Sequence, residues 1–87
     1  MEAAALLAAV KWNADGLAPV VIVDARTGAV LTLAYANHQA LEKTLATQST
    51  WLYSRSRAQL WNKGATSGNT QQVVAVALDC DSDALLY

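Results

Sequence analysis

The sequence predicts a small single α+β domain, an antiparallel β-sheet accompanied by short helices. Three observations carry that expectation. Two apolar, β-branched runs, 20–24 and 29–35, flank Asp24-Ala25-Arg26-Thr27-Gly28, whose residues suit a hairpin loop. Further extended runs follow at 51–57 and 70–79. Between the two pairs of runs, Ala40, Leu41, Thr44 and Leu45 recur at spacings of three and four, the period of a helix with one packing stripe.

Taken in order, residues 1–11 form a helical lead-in, with an alanine-rich helix over 2–10. That run lacks a basic leading region, is followed at once by Lys11, Asn13 and Asp15, and is too short to span a bilayer. Asn13-Ala14-Asp15-Gly16 is a turn, signalled by Asp-Gly. Pro19 opens the first strand, where a missing N–H is tolerated. Asp24 and Gly28 serve the hairpin turn and are assigned no chemistry. Because the strands at 20–23 and 29–35 are apolar on both faces, a helix or a second subunit is expected to cover the sheet.

Asn37 is a suitable N-cap for a helix over 38–47. His38 falls in its first turn, where the helix dipole disfavours a proton, and it is read as an inert surface group. In the run 51–57, Trp51, Tyr53, Arg55 and Arg57 share one strand face, while Leu52, Ser54 and Ser56 share the other. Arg55 and Arg57 suit either of two roles: a guanidinium pair for a phosphate, or a charged strand edge that resists aggregation. Leu60 and Trp61 pack back before Lys63-Gly64-Ala65-Thr66-Ser67-Gly68-Asn69. Its lysine, hydroxyls and glycines make an anion nest, without the spacing of a P-loop.

Composition narrows the classes. At 54% hydrophobic and 15% charged residues, the chain is globular rather than disordered. The net charge of -1 is unevenly spread, with three acids and no base after residue 78. A mildly basic body beside an acidic cluster suits an anionic substrate brought to a cation better than a nucleic-acid polymer. One cysteine makes no internal disulfide, so a reducing, cytoplasmic compartment is expected.

Chemistry concentrates in Asp79-Cys80-Asp81-Ser82-Asp83, at the end of the last run. On a continuing strand the three aspartates point one way and Cys80 the other. Hard oxygens and a soft sulfur then lie on opposite sides, suggesting Mg²⁺ for Asp79, Asp81 and Asp83 and Zn²⁺ for Cys80. A solvated turn and a buried filler cysteine are the plainer alternatives. Strand geometry separates the outer aspartates by roughly 13 Å, so one ion requires the backbone to curl or the strand to end near Asp79. An EF-hand is excluded, because Ala84 stands where its loop needs glycine.

Together these segments resemble the phosphoribosyl-AMP cyclohydrolase family of histidine biosynthesis. The likeness rests on Asp15-Gly16-Leu17 with Pro19, Leu33-Ala34-Tyr35 with Asn37, Ala40-Leu41, Ser54-Arg55-Ser56-Arg57, Leu60-Trp61, Lys63-Gly64, Thr66-Ser67-Gly68, Gln71, and Asp79-Cys80-Asp81 with Asp83. It makes residues 12–87 a cyclohydrolase-like domain. The resemblance implies a homodimer that hydrolyses the N1–C6 bond of the adenine ring in 1-(5-phosphoribosyl)-AMP. It implies Mg²⁺ on Asp79, Asp81 and Asp83, and Cys80 as one of three Zn²⁺ cysteines in a site completed across the dimer. Arg55, Arg57, Lys63, Thr66 and Ser67 are the expected substrate-binding residues; the acid–base group is not identified.

Two departures stand out. The family pattern continues into a segment with two more cysteines that this sequence lacks, which leaves the Zn²⁺ site incomplete and makes an inactive fragment the competing expectation. In addition, Ala65 and Asn69 stand where many relatives carry Glu and His, and Asn cannot exchange a proton near neutrality.

Overall fold

The computed structural model describes residues 2–64 and 71–87. Helix α1 spans Ala3–Ala9 and buries Leu6. After it, the Asn13 side chain accepts the backbone N–H groups of Asp15 at 2.8 Å and Leu17 at 3.0 Å, closing the expected turn around Gly16. Strand β1, Ala18–Val23, then turns its alternate residues Ala18, Val20 and Ile22 fully into the core.

The hairpin to β2, Val30–Ala36, forms as expected and is built by one carboxylate. Asp24 Oδ1 accepts from the backbone of Arg26 at 2.8 Å and Thr27 at 3.1 Å. Gly28 takes φ +78°, a conformation that costs a side-chain-bearing residue but not glycine. The outer strand β2 leaves Val30, Leu31 and Leu33 exposed, so its apolar outer surface is uncovered in the single chain.

Helix α2, His38–Thr47, has the expected bounds. Asn37 caps it by accepting the Ala40 N–H at 2.8 Å, and Gln48 ends it in a left-handed conformation. Its buried face is Ala40, Leu41 and Thr44. The Thr44 hydroxyl donates to the Ala40 carbonyl at 2.9 Å and accepts the Trp51 N–H at 3.0 Å. That pair of bonds locks the helix to the next strand and satisfies the buried Thr44 hydroxyl.

Beyond α2 the structure corrects several expectations. Strand β3 is Trp51–Ser54 only; Arg55–Ala58 turn the chain into an antiparallel partner, β4, Gln59–Asn62. Arg55 and Arg57 therefore do not continue a strand face, and neither can serve as a charged strand edge. The extended run expected at 70–79 has regular pairing only over β5, Ala77–Leu78. Gln72 makes an isolated bridge to Ser49, and the Val73 N–H donates to the Gln48 carbonyl at 2.7 Å, so this segment follows the end of α2 instead.

A last strand, β6, Leu85–Leu86, was not expected. It inserts between β5 and β1, giving a four-stranded sheet in the order β2-β1-β6-β5 beside the two-stranded β3-β4 sheet. The β1–β6 pairing is parallel, so the sheet is mixed rather than purely antiparallel. Burial explains the insertion. Leu85 is only 2% exposed and Tyr87 only 7%, and both join the core formed by Leu6, Val20, Ile22, Leu41 and Leu52.

Tyr87 makes stability depend on alkaline pH. Burial pushes its phenol up to about 12, opposed in part by the neighbouring Thr44 hydroxyl. The phenolic oxygen has no hydrogen-bond partner among the described residues. A raised folded-state value leaves its contribution intact below pH 10, the ordinary tyrosine range, and removes it as pH climbs towards 12. About 2–3 kcal/mol should be lost across that window. Urea unfolding of wild type and Tyr87→Phe at several pH values isolates the effect: the variant should lack this component of the alkaline loss, and parallel curves would exclude the assignment.

Candidate metal-binding loop and cationic cavity

The acidic cluster sits on the loop between β5 and β6. Its backbone does curl: Ser82 adopts φ +64°, and the Asp79 N–H donates to the Ala84 carbonyl at 3.1 Å. Asp79 Oδ1 accepts the N–H groups of Asp83 at 3.1 Å and Ala84 at 3.2 Å. The Ser82 carbonyl accepts the Lys11 N–H at 2.7 Å, which tethers the loop to the chain just after α1. As a result, one oxygen from each of Asp79, Asp81 and Asp83 lies within 4.8 Å of the others, far closer than an extended strand allows.

Three exposed carboxylates this close repel one another. Asp79 resolves part of the conflict through the backbone. Desolvation raises its pKa, but the N–H of Ala84 and the bonds from Asp83 and Asp81 outweigh that and hold it below the ordinary value. Asp83 moves the other way, raised first by its bonds to Asp81 and Asp79 and then by desolvation and their charges. Either a proton or a divalent cation relieves the crowding. The donor set is all hard oxygen and fits Mg²⁺ or Ca²⁺ in kind, with water completing the shell. Among the described residues this is the only cluster of three or more His, Cys, Asp or Glu donors, and Cys80 is not part of it. Cys80 is exposed and its thiol is free.

The basic residues gather elsewhere. A cavity of about 1080 Å³ is lined by Tyr35, Tyr53, Arg55, Arg57, Trp61 and Asn62, among others. It opens where the β3–β4 turn faces β2. The turn is set by Ser54, whose hydroxyl accepts the Arg57 N–H at 3.3 Å, and by Ala58 at φ +51°. The Arg55 guanidinium carbon lies 3.9 Å from the centroid of the Tyr35 ring, and Lys63 Nζ lies 5.4 Å from that of Trp61. Asp79, Asp81, Asp83 and Cys80 do not line this cavity. Thr66, Ser67, Ala65 and Asn69 lie outside the described residues. His38 is exposed at the start of α2, its ring 6.2 Å from that of Trp12.

Tyr35 and Tyr53 were not singled out as site residues from the sequence. The strand alternation that puts Leu33 and Tyr35 on one face of β2 was available as a signal, but nothing local says that this face meets the β3–β4 turn.

The fold and these two features define a small mixed α+β domain with a divalent-cation-type acidic loop and a cationic, aromatic-walled cavity. Comparison with known sequences makes that class specific. The sequence model of the phosphoribosyl-AMP cyclohydrolase family matches residues 32–87. The chain is 62% identical over 81 residues to the histidine biosynthesis bifunctional protein HisIE of Thermus thermophilus, covering 93% of this chain and 38% of that protein. It is 58% identical over 80 residues to the phosphoribosyl-AMP cyclohydrolase of Pelotomaculum thermopropionicum, covering 92% of this chain and 62% of that one. A third relative, the phosphoribosyl-AMP cyclohydrolase of Nitrosopumilus maritimus, is 54% identical over 75 residues, 86% of this chain and 69% of its own. The chain belongs to the phosphoribosyl-AMP cyclohydrolase family. It spans between about one third and two thirds of the curated relatives it matches.

Proposed function

We propose that the domain takes part in hydrolysis of the adenine ring N1–C6 bond of 1-(5-phosphoribosyl)-AMP in histidine biosynthesis. The observation that carries this reading is the cavity holding Arg55 and Arg57 between aromatic walls, in a chain of this family. Guanidinium groups supply in-plane donors for phosphate oxygens, and the tyrosine and tryptophan rings offer flat surfaces to a purine. Lys63, with Thr66 and Ser67 after it, adds cationic and hydroxyl donors for a second phosphate-bearing arm.

Asp79, Asp81 and Asp83 would hold Mg²⁺ and Cys80 would contribute to Zn²⁺. Together, when bound, such ions supply charge neutralisation at phosphate and activation of water for attack on an electron-poor ring carbon. The protein's own part is to bind the phosphates, orient the ring and hold Asp79 ionised through the backbone N–H groups of Asp83 and Ala84. The exposed apolar residues Val30, Leu31 and Leu33 on β2, with Leu86 on β6, support a homodimer in which a second subunit covers this surface. No acid–base residue is assigned. Among the described residues, no helix is long and apolar enough to cross a membrane.

A second reading is that the 87-residue chain is inactive and retains only phosphate or Mg²⁺ binding and self-association. Two observations favour it: the lone cysteine, and the absence of the acidic loop from the lining of the arginine-bearing cavity. Either way, Arg55→Ala and Arg57→Ala should each weaken binding of 1-(5-phosphoribosyl)-AMP by about 1.5–3 kcal/mol in calorimetric titration. Unchanged affinity with lower stability would mean that the arginines serve only the turn.

A further inference from the structure

We infer that Tyr35 is a positioning residue: its ring holds the Arg55 guanidinium flat against the cavity wall, with the guanidinium donors presented to a substrate phosphate. The inference rests on the proposed phosphate role of Arg55 and deepens it. Its basis is the 3.9 Å separation between the guanidinium carbon and the Tyr35 ring centroid. That distance places the guanidinium carbon over the ring as a cation–π pair, and a parallel stack is the arrangement of such a pair that keeps the donors free. Stacking occupies one face of the guanidinium and none of its five N–H donors, which all point outward in its plane.

The backbone that carries the ring is anchored in the sheet. Tyr35 is half-buried near the end of β2, in register with Pro19 of β1, and the next residue, Ala36, is fully buried. Arg55, by contrast, is exposed on the β3–β4 turn, where an unsupported arginine samples many rotamers. Stacking on a fixed ring removes part of that freedom before substrate arrives, so less is lost on binding. Arg57 lies on the same turn without an aromatic ring beneath it among the described residues, and its backbone N–H is held by Ser54 at 3.3 Å. The two arginines are therefore inequivalent: Arg55 is pre-oriented and Arg57 is not.

The test is a double-mutant cycle on the full chain, read by calorimetric titration with 1-(5-phosphoribosyl)-AMP. Tyr35→Leu should weaken binding about 3- to 10-fold, the range of a guanidinium–ring contact. Tyr35→Phe, which keeps the ring, should stay within about twofold of wild type. In an Arg55→Ala background Tyr35→Leu should cost nothing more. An equal loss in that background, or a Phe variant as poor as Leu, overturns the positioning role while leaving the phosphate reading intact. If Arg55→Ala alone binds like wild type, the phosphate reading fails and the positioning role falls with it. A second measurement needs no ligand. The Arg55 side-chain protons should show an upfield ring-current shift by NMR in wild type and Tyr35→Phe and lose it in Tyr35→Leu; an unshifted Arg55 in wild type overturns the stacked geometry directly.

Discussion

A polypeptide of residues 1–87, purified under native conditions, is expected to carry far less than one zinc ion per chain. It should open the purine ring at least about 100-fold more slowly than the same chain extended by a family-like segment with two further cysteines. The reason is ligand count. Catalytic zinc is held by three protein ligands with a fourth position open, and residues 1–87 offer one cysteine, exposed and apart from the only acidic cluster among the described residues. Loss of supporting contacts around a metal ligand alone typically costs 10–100-fold, so loss of ligands themselves should cost more. Elemental analysis gives the metal content, and absorbance follows ring opening. One tightly held zinc per short chain, with turnover equal to that of the long chain, would overturn the expectation. His38, Asn69 or another group would then have to complete the site.

Leu85→Ala should be the most damaging single substitution near the acidic loop, lowering stability by about 2–5 kcal/mol. Leu85 is 2% exposed, pairs with Val20 of β1 on one side and with Leu78 of β5 on the other, and closes the core beneath the loop. Its removal leaves a cavity that neither neighbouring strand can collapse to fill. Leu86→Ala is the control: its side chain is 41% exposed, and its loss should cost about 1 kcal/mol or less. Urea unfolding with unchanged m-value measures both. Equal, small losses would mean that β6 does not anchor the loop, contrary to its place in the middle of the sheet.

That result bears on where local reasoning failed. Residues 84–87 follow the acidic loop and carry no strand signal of their own. Two of them, Leu85 and Tyr87, are nevertheless buried and join the core that holds Val20 and Leu41, while Leu86 stays exposed. Nothing within a few positions of Leu85 announces this. Its strand partner Val20 lies 65 positions earlier, and a two-residue strand has no period to detect.

Elements with short-range causes were legible. Asp24, Gly28 and the β-branched runs around them specify a hairpin, because the turn's bonds form between residues two to five positions apart. Asn37 and the stripe Ala40, Leu41 and Thr44 specify α2 and its bounds for the same reason. The shared identity of the acidic loop's three aspartates was legible too, as was the requirement that the backbone curl to bring them together. Their approach to within 4.8 Å was decided by the fold: Ser82 turns left-handed, Lys11 ties its carbonyl down, and β5 and β6 close the loop at its base.

The cationic cavity shows the same division. Two arginines at alternate positions beside aromatics line one cavity, yet they do not form a strand face, because Ser54 captures the Arg57 N–H and turns the chain at once. That Arg55 then rests on Tyr35, 20 positions away on another strand, follows only from how β2 packs beside β3. Sequence by itself determined the turns, caps, helices and the family's motifs, whose causes lie in neighbouring residues. Tertiary structure decided the parallel pairing of β6, the convergence of the carboxylates and the support beneath Arg55, because each depends on contacts between segments that the chain brings together only when the core is buried.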